Sequence, residues 1–357
     1  MNRFLFPSPS PARFVLGSVC ALGLLLSSSQ AAEVSPEEIL STLRTNLAGM
    51  SPVDLDKAAV EAILEKLYPR VFLTPPAKSN EPCTNCLEHS SLFDGSYGYV
   101  RFRAIQTGLR PELEETIRKL EGTNSLKGLV LDLRFSGGTD YAAAVEIANL
   151  FVSEVKPLLD WGQGVVSSQA QTNRFSAPLA ILVNHETWGA SEALAGTLRW
   201  AECGLLLGGS TSGKAAVFKS FTLSTTQQIE IAVTEVKMGD GKPIPSTGLQ
   251  PDIQVGVSLE EERLFLTDPY RIHPRMAGSG GSGGRTNSGA GLRLSRLNEA
   301  ELVRMRRENQ GEDLERLIPN AVPQAKTEEL RVVSDPALAR ALDLLKGLAV
   351  VRQSRSS

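Results

Sequence analysis

The chain has 357 residues with 37 Lys and Arg against 40 Asp and Glu. The resulting formal net charge of -3 at pH 7 excludes a global field suited to nucleic acid or to an anionic membrane surface. That length is enough for one large core or two modest ones.

In chain order, Arg3 and Arg13 flank a Pro/Ser segment, Val15 to Leu26 is apolar, and Ser27 to Ala32 is small and polar. A basic stretch, a short apolar stretch and a small-residue site near Ala31 predict a signal peptide over residues 1–32. A retained anchor is the alternative. The apolar run is shorter than the roughly 20 residues that span a bilayer, so no transmembrane segment is expected after cleavage. The expected location is periplasmic or extracellular. Export changes what the cysteines mean. Cys20 leaves with the signal, and Cys83-Thr84-Asn85-Cys86 then reads as a small loop disulfide in an oxidising compartment. His89 stands three residues beyond Cys86 instead of directly after it, which argues against covalent haem. Nothing in the sequence assembles a metal site, and no cofactor is expected. Cys203 reads as a core thiol.

Helices are expected over residues 33–68: Ser35-Pro36-Glu37-Glu38 has the form of a capping box, and Val60, Ile63, Leu64 and Leu67 fall on one face of a second helix. Residues 69–96, rich in Pro, Asn, Ser and Cys, read as a Cys-containing loop. Tyr97 to Ile105 alternates like a strand, and Pro111 to Glu121 carries the buried stripe Leu113, Ile117 and Leu120. Gly128 to Leu133 and Leu179 to Val183 are continuous apolar strands of the kind covered on both faces. Helices follow at Tyr141 to Phe151 and Ser191 to Arg199, and further strands at Leu205 to Leu207, Ser220 to Leu223 and Ile229 to Val236. This alternation predicts an α/β layered fold. Residues 97–257 form its core domain and 258–277 a connecting segment. Gly278 to Gly289 reads as a flexible Gly/Ser-rich linker ahead of a charged helical tail over 290–357. That tail includes helices at Asn298 to Arg307 and after Asp335-Pro336, which offer a surface for self-association.

Four ordered motifs carry the chemistry. Gly128 to Phe151 (GLVLDLRFSGGTDYAAAVEIANLF) gives a strand, a Gly-containing turn and a helix, and Pro178 to Gly196 (PLAILVNHETWGASEALAG) gives a strand, a sharp turn and a helix start. Gly208 to Lys214 (GGSTSGK) supplies a lysine 25 residues after Gly189, and Thr247 to Ile253 (TGLQPDI) closes the set. Together they resemble the C-terminal processing, or tail-specific, serine protease family, with its ClpP/crotonase-like core. The resemblance implies a serine nucleophile at the turn and a lysine base. A lysine works as base only when its surroundings draw its pKa down from about 10.4. It also implies oxyanion donors from the turn amide and the Gly-containing loop.

Carried over, the base falls on Lys214 and the donors on Ala190, Gly137 and Gly138. The nucleophile falls on Gly189, which has no side chain. The residues that orient the base in some family members fall on Trp200 or Phe218, and neither can do so. Nearby hydroxyls that could substitute are Ser191, Thr187, Ser136 and Ser212. Lys214 is otherwise expected to pair with a local carboxylate. The turn is also similar to the TAGAAE-like sequence in repeats of interphotoreceptor retinoid-binding protein, which resemble binders of apolar ligands; Trp188 would then line an apolar cleft. The expectation is an exported member of the family, impaired in catalysis, holding extended polypeptides in the former active-site cleft. The alternatives are an active serine-type endopeptidase using a displaced Ser or Thr with Lys214, and an apolar small-ligand binder or assembly protein.

Overall fold

The computed structural model describes residues 35–75, 83–122, 125–170, 175–224, 227–270 and 333–356. Among the described residues, those up to Ile63 form one unit and those from Leu64 onward a second. The first holds helix α1 (Pro36–Asn46) and most of α2 (Pro52–Leu67), and neither helix contains a buried residue. Arg44 pairs with Asp56 at 2.7 Å. The predicted capping box at Ser35 does not form. Its hydroxyl donates instead to the Glu37 carboxylate at 2.6 Å, so no side-chain bond reaches the helix amides.

The second unit is an α/β layered domain on a six-stranded sheet. Its strands are β2 (Leu87–Phe93), β3 (Tyr97–Phe102), β4 (Gly128–Asp132), β7 (Leu179–Val183), β8 (Gly204–Gly208) and β12 (Ile253–Gln254), in the order β12-β8-β7-β4-β3-β2. All neighbours are parallel except β2, which is antiparallel to β3. Successive side chains on a strand point to opposite faces. Leu129 and Leu131 of β4, with Leu179, Ile181 and Val183 of β7, therefore pack against α3 (Leu109–Glu121), α4 (Tyr141–Ala148) and α5 (Gly189–Trp200). Val130, Ala180 and Leu182 turn to the other face and meet α7 (Pro336–Ser356). Both faces are covered, which is why these strands read as unbroken apolar runs.

A three-stranded antiparallel sheet, β1-β10-β9, is built from β1 (Val71–Thr74), β10 (Gln228–Glu235) and β9 (Ala216–Thr222). A smaller one joins β5 (Pro157–Asp160), β6 (Val166–Ser167) and β11 (Lys237–Met238). Several sequence expectations change here. Residues 69–96 are not simply a loop: β1 pairs with β10 (Val71↔Ile231) and β2 lengthens the main sheet. The connecting segment contains α6 (Leu259–Thr267), whose Ser258 and Glu261 form a full capping box.

The end of the tail is not independent of the core. Asp335 accepts from the Ala337 and Leu338 amides at the start of α7 and pairs with the buried guanidinium of Arg134 at 2.7 Å. Ala337, Leu338, Ala341, Leu342 and Leu345 are buried against the sheet. An α-helix presents residues four apart on one face, so this pattern places α7 on the core like any other helix of the domain. The expected linker and the helix at Asn298 to Arg307 lie outside the described residues.

Candidate active site

Strand β7 ends at Val183, and the turn after it is organised by Asn184, which is buried. Its Oδ1 accepts from the Phe135 and Glu186 amides at 3.1 and 3.0 Å, and its Nδ2 donates to Glu262 at 2.7 Å. Thr187 Oγ1 donates to the Leu133 carbonyl at 2.8 Å. These bonds lock the turn to the loop that follows β4. Phe135 in that loop has φ of 58°, an unfavourable value for a bulky residue, held by its amide bond to Asn184.

Helix α5 then begins at Gly189, with φ of 60°. A Cβ placed on Gly189 would lie well within 3.0 Å of the Gly138 carbonyl oxygen. The same carbonyl accepts a hydrogen bond from the Ala190 amide at 2.8 Å. Position 189 therefore lacks a hydroxyl and, in this arrangement, also lacks the room for one. Gly137 makes a second close approach: a Cβ there would collide with the Trp188 indole.

Two of the three expected oxyanion donors, the Ala190 and Gly137 amides, are engaged by backbone carbonyls. Ala190 donates to Gly138, and the Gly137 amide donates to Arg103 at 3.3 Å. An oxyanion site needs donors directed at an empty position. Here Gly138 presents its carbonyl oxygen to the turn instead.

Ser191, the substitute hydroxyl, is fully buried. Its Oγ donates to the Gly137 carbonyl at 2.8 Å and lies 2.7 Å from Ser136 Oγ. Because Ser191 has a single hydroxyl proton, Ser136 is the donor in that second bond. Both hydroxyls fasten the loop to the helix. Ser212 is also buried, and its Oγ accepts from the Lys214 amide at 3.4 Å.

Lys214 lines a cavity of about 780 Å³ together with Gly137, Gly138, Trp188, Phe135 and Phe218. It has no carboxylate partner among the described residues. Its Nζ stands 4.9 Å from the centroid of the Tyr68 ring and 5.0 Å from that of Phe72. Phe72 meets Phe218 edge-on at 5.3 Å. The expected local ion pair is thus replaced by aromatic faces, which attract a cation through the negative face of the ring. Trp200 stands away from this cavity, beside Gly239.

Three partners of the lysine and its loop leave little or no trace in the sequence. Glu192, fully buried one turn into α5, accepts from Thr211 Oγ1 and from the Gly213 amide at 2.8 Å. Its Oε2 has no hydrogen-bond partner. Burial pushes its pKa up to about 7, against the opposing pull of Thr211 and of the Gly213, Lys214 and Ala215 amides. A charged residue inside an otherwise small and apolar helix start was the available signal. Tyr68 and Phe72 left none, because only folding brings them to Lys214.

Cys83 and Cys86 are not joined. Both are free thiols, and Cys86 Sγ donates to the Cys83 carbonyl at 3.3 Å. The Gln106 carboxamide brackets the Cys83 backbone, accepting from its amide at 3.1 Å and donating to its carbonyl at 2.9 Å. Burial of Cys86 pushes its thiol up to about 12. Among the described residues no group of three His, Cys, Asp or Glu side chains could hold a metal ion, and no helix is long and apolar enough to cross a membrane.

The sequence model of peptidase family S41 matches residues 96–255, and this part of the chain belongs to that family. Over 162 residues the chain is 30% identical to a chloroplastic C-terminal processing peptidase of Tetradesmus obliquus, covering 44% of this chain and 35% of the relative. Over 163 residues it is 31% identical to a carboxyl-terminal-processing protease of Synechocystis sp., covering 44% and 37%. The solved photosystem II D1 C-terminal processing protease overlays with a TM-score of 0.38 at 27% identity, covering 52% of this chain and 48% of that one. The chain spans little more than a third of the length of these curated relatives.

Proposed function

We propose that this protein is an exported member of the family that has lost peptide hydrolysis and holds extended polypeptides in the former active-site cleft. One observation carries the reading: position 189 is glycine, and the Gly138 carbonyl occupies both the space of its missing side chain and the Ala190 amide. Covalent catalysis splits amide cleavage into two easier steps, and that requires an oxygen or sulfur nucleophile at the turn. Without a nucleophile, and with the Ala190 and Gly137 amides already engaged, the acceleration falls to about 10³-fold over water.

Binding is supported by the cavity and by β9, which lies at the edge of its sheet and contributes Ala216, Val217, Phe218 and Ser220 to the wall. An edge strand presents backbone donors and acceptors to which an extended chain can add. Export rests on the basic, apolar and small-residue pattern of residues 3–32.

The test uses the full chain with unfolded casein as substrate, beside Lys214→Ala and Ser191→Ala, and measures binding of a dye-labelled unstructured peptide by anisotropy. The expected result is saturable binding with no cleavage in any of the three proteins. Cleavage by the natural protein that disappears in Lys214→Ala or Ser191→Ala would overturn the inactive reading. Absence of peptide binding would overturn the second half of the proposal.

A further inference from the structure

A second cavity, also of about 780 Å³, lies where β2, β3, the loop after β4, α6 and the start of α7 meet. Among the described residues it shares only Arg103 and Phe135 with the cavity of Lys214. Four arginines line it, Arg101, Arg103, Arg134 and Arg263, against the two carboxylates of Glu88 and Asp335. Arg134 is paired with Asp335 at 2.7 Å and with Asp132, behind the wall, at 2.6 Å. The other three are served poorly. Glu88 alone faces both Arg101 and Arg103, at 3.2 and 3.1 Å. It stands beside Arg101 Nε without hydrogen-bond geometry, and that buried nitrogen has no partner. Arg101 Nη1 donates to the Leu266 carbonyl at 2.6 Å, and Nη2 makes no hydrogen bond among the described residues. Arg263 has no carboxylate among the described residues; its guanidinium lies 4.3 Å from the centroid of the Phe135 ring. Glu262, next to it in the chain, turns inward to Asn184. His89 adds no charge at neutral pH, because burial and the neighbouring Arg101 lower its pKa.

Strand geometry brings rings to the same wall as these cations. Residues two apart on a strand share a face, so Tyr99 and Arg101 of β3 project together, as do His89, Ser91 and Phe93 of β2. The register sets Ser91 opposite Tyr99 and His89 opposite Arg101. Phe93 meets Tyr99 edge-on at 5.9 Å and lies 6.2 Å from Tyr270. Phe265 and Leu338, both buried, also line the cavity. Leu266, which accepts from Arg101, is one turn of α6 from Arg263, so that helix supports both guanidinia. Cavities of this volume, apolar apart from a few placed charges, are suited to small organic ligands. A guanidinium offers its donors as a planar fork that matches the two oxygens of a carboxylate.

We infer that this cavity is a binding site for a small carboxylate on a flat aromatic body, its oxygens taken by Arg263 and Arg101 and its ring by Phe93, Tyr99 and Tyr270. Arg263 carries most of the selectivity, since no carboxylate of the described residues competes for it. Charge-assisted hydrogen bonds of this sort exceed neutral ones. The rings add contact area but do not tell an acid from its neutral counterpart, so preference for the acid reports on the arginines. Binding here does not depend on a polypeptide in the cleft of Lys214, and the two can fail separately.

The experiment is isothermal titration calorimetry of the full chain with naphthoate and with its neutral amide, naphthamide. Inorganic phosphate, Arg263→Gln and Lys214→Ala are measured alongside. Naphthoate is expected to bind about ten-fold or more tightly than the amide. That preference should weaken with added salt, fall to about three-fold or less in Arg263→Gln and persist in Lys214→Ala. Phosphate, which has no ring, should bind about ten-fold more weakly than naphthoate. Equal binding of acid and amide to the natural protein, or binding of neither, would overturn the inference, and that comparison needs no variant. An acid preference kept in Arg263→Gln but lost in Lys214→Ala would place the carboxylate in the other cavity and overturn it too. Phosphate as tight as naphthoate would overturn the aromatic half of the assignment.

Discussion

Substituting Gly189 by alanine isolates the feature on which the site depends, because it adds a Cβ and no reactive group. In the structure that Cβ falls well within 3.0 Å of the Gly138 carbonyl oxygen, and the backbone at 189 sits at φ of 60°. Holding a residue with a Cβ in the left-handed region costs about 1–2 kcal/mol. Relieving the clash requires the Gly138 carbonyl to move, which breaks its bond from the buried Ala190 amide and costs about 1–3 kcal/mol more. The sum is a destabilisation of about 2–5 kcal/mol. For a domain of this size it corresponds to roughly a 5–15 °C fall in Tm. Urea unfolding followed by far-UV circular dichroism, with an unchanged slope, measures the free energy. Hydrogen exchange at the Ala190 amide should quicken in the variant, since its acceptor is displaced. A Gly189→Ala protein within about 0.5 kcal/mol of the natural one, a typical surface-substitution effect, would refute the claim that the loop fills the nucleophile position. Gly189→Ser carries the same penalty, so a new hydroxyl is not expected to produce cleavage by itself.

Two further expectations concern buried charge. Asp335→Ala removes one carboxylate from Arg134 and both amide bonds at the start of α7, and should cost about 3–5 kcal/mol with loss of exchange protection along α7; a loss below about 1 kcal/mol would mean that the pair does not dock the helix. Glu192 has a folded pKa near 7 against an ordinary value of 4.5, so between these values the folded chain keeps a proton that the unfolded chain releases. Stability from this group is full below about pH 4.5 and declines through pH 7, by roughly 3 kcal/mol in all. Glu192→Gln should remove that slope in urea melts at pH 5 and pH 8, and parallel behaviour of the two proteins would contradict the assignment.

Much of the scaffold is legible in the linear order of residues. The apolar runs at Gly128 to Asp132 and Leu179 to Val183 announce strands covered on both sides, and the structure covers them so. The strand-turn-helix pattern around Gly189 and the lysine 25 residues later are also legible, because periodicity and turn chemistry are local properties. Local reading failed where a segment's pattern was short or its partner distant. Val71 to Thr74 offers four residues, too few for a period, and becomes a strand only because β10 is there to pair with it. The disulfide expected from CxxC spacing is absent: both thiols are free, Gln106 holds the Cys83 backbone and Cys86 Sγ donates to the Cys83 carbonyl.

By itself the sequence determined the layered α/β core, the family of the 96–255 segment, and the missing hydroxyl at position 189. Tertiary structure alone decided the contacts that define the site's chemistry. These are the turn of the Gly138 carbonyl into the nucleophile position, the placing of Tyr68 and Phe72 over Lys214, the burial of Ser191 and the docking of α7 through Asp335 and Arg134. The reason is physical: each contact joins segments far apart in the chain, so the orientation of a carbonyl or an ammonium follows from which surfaces meet. No periodicity records that meeting.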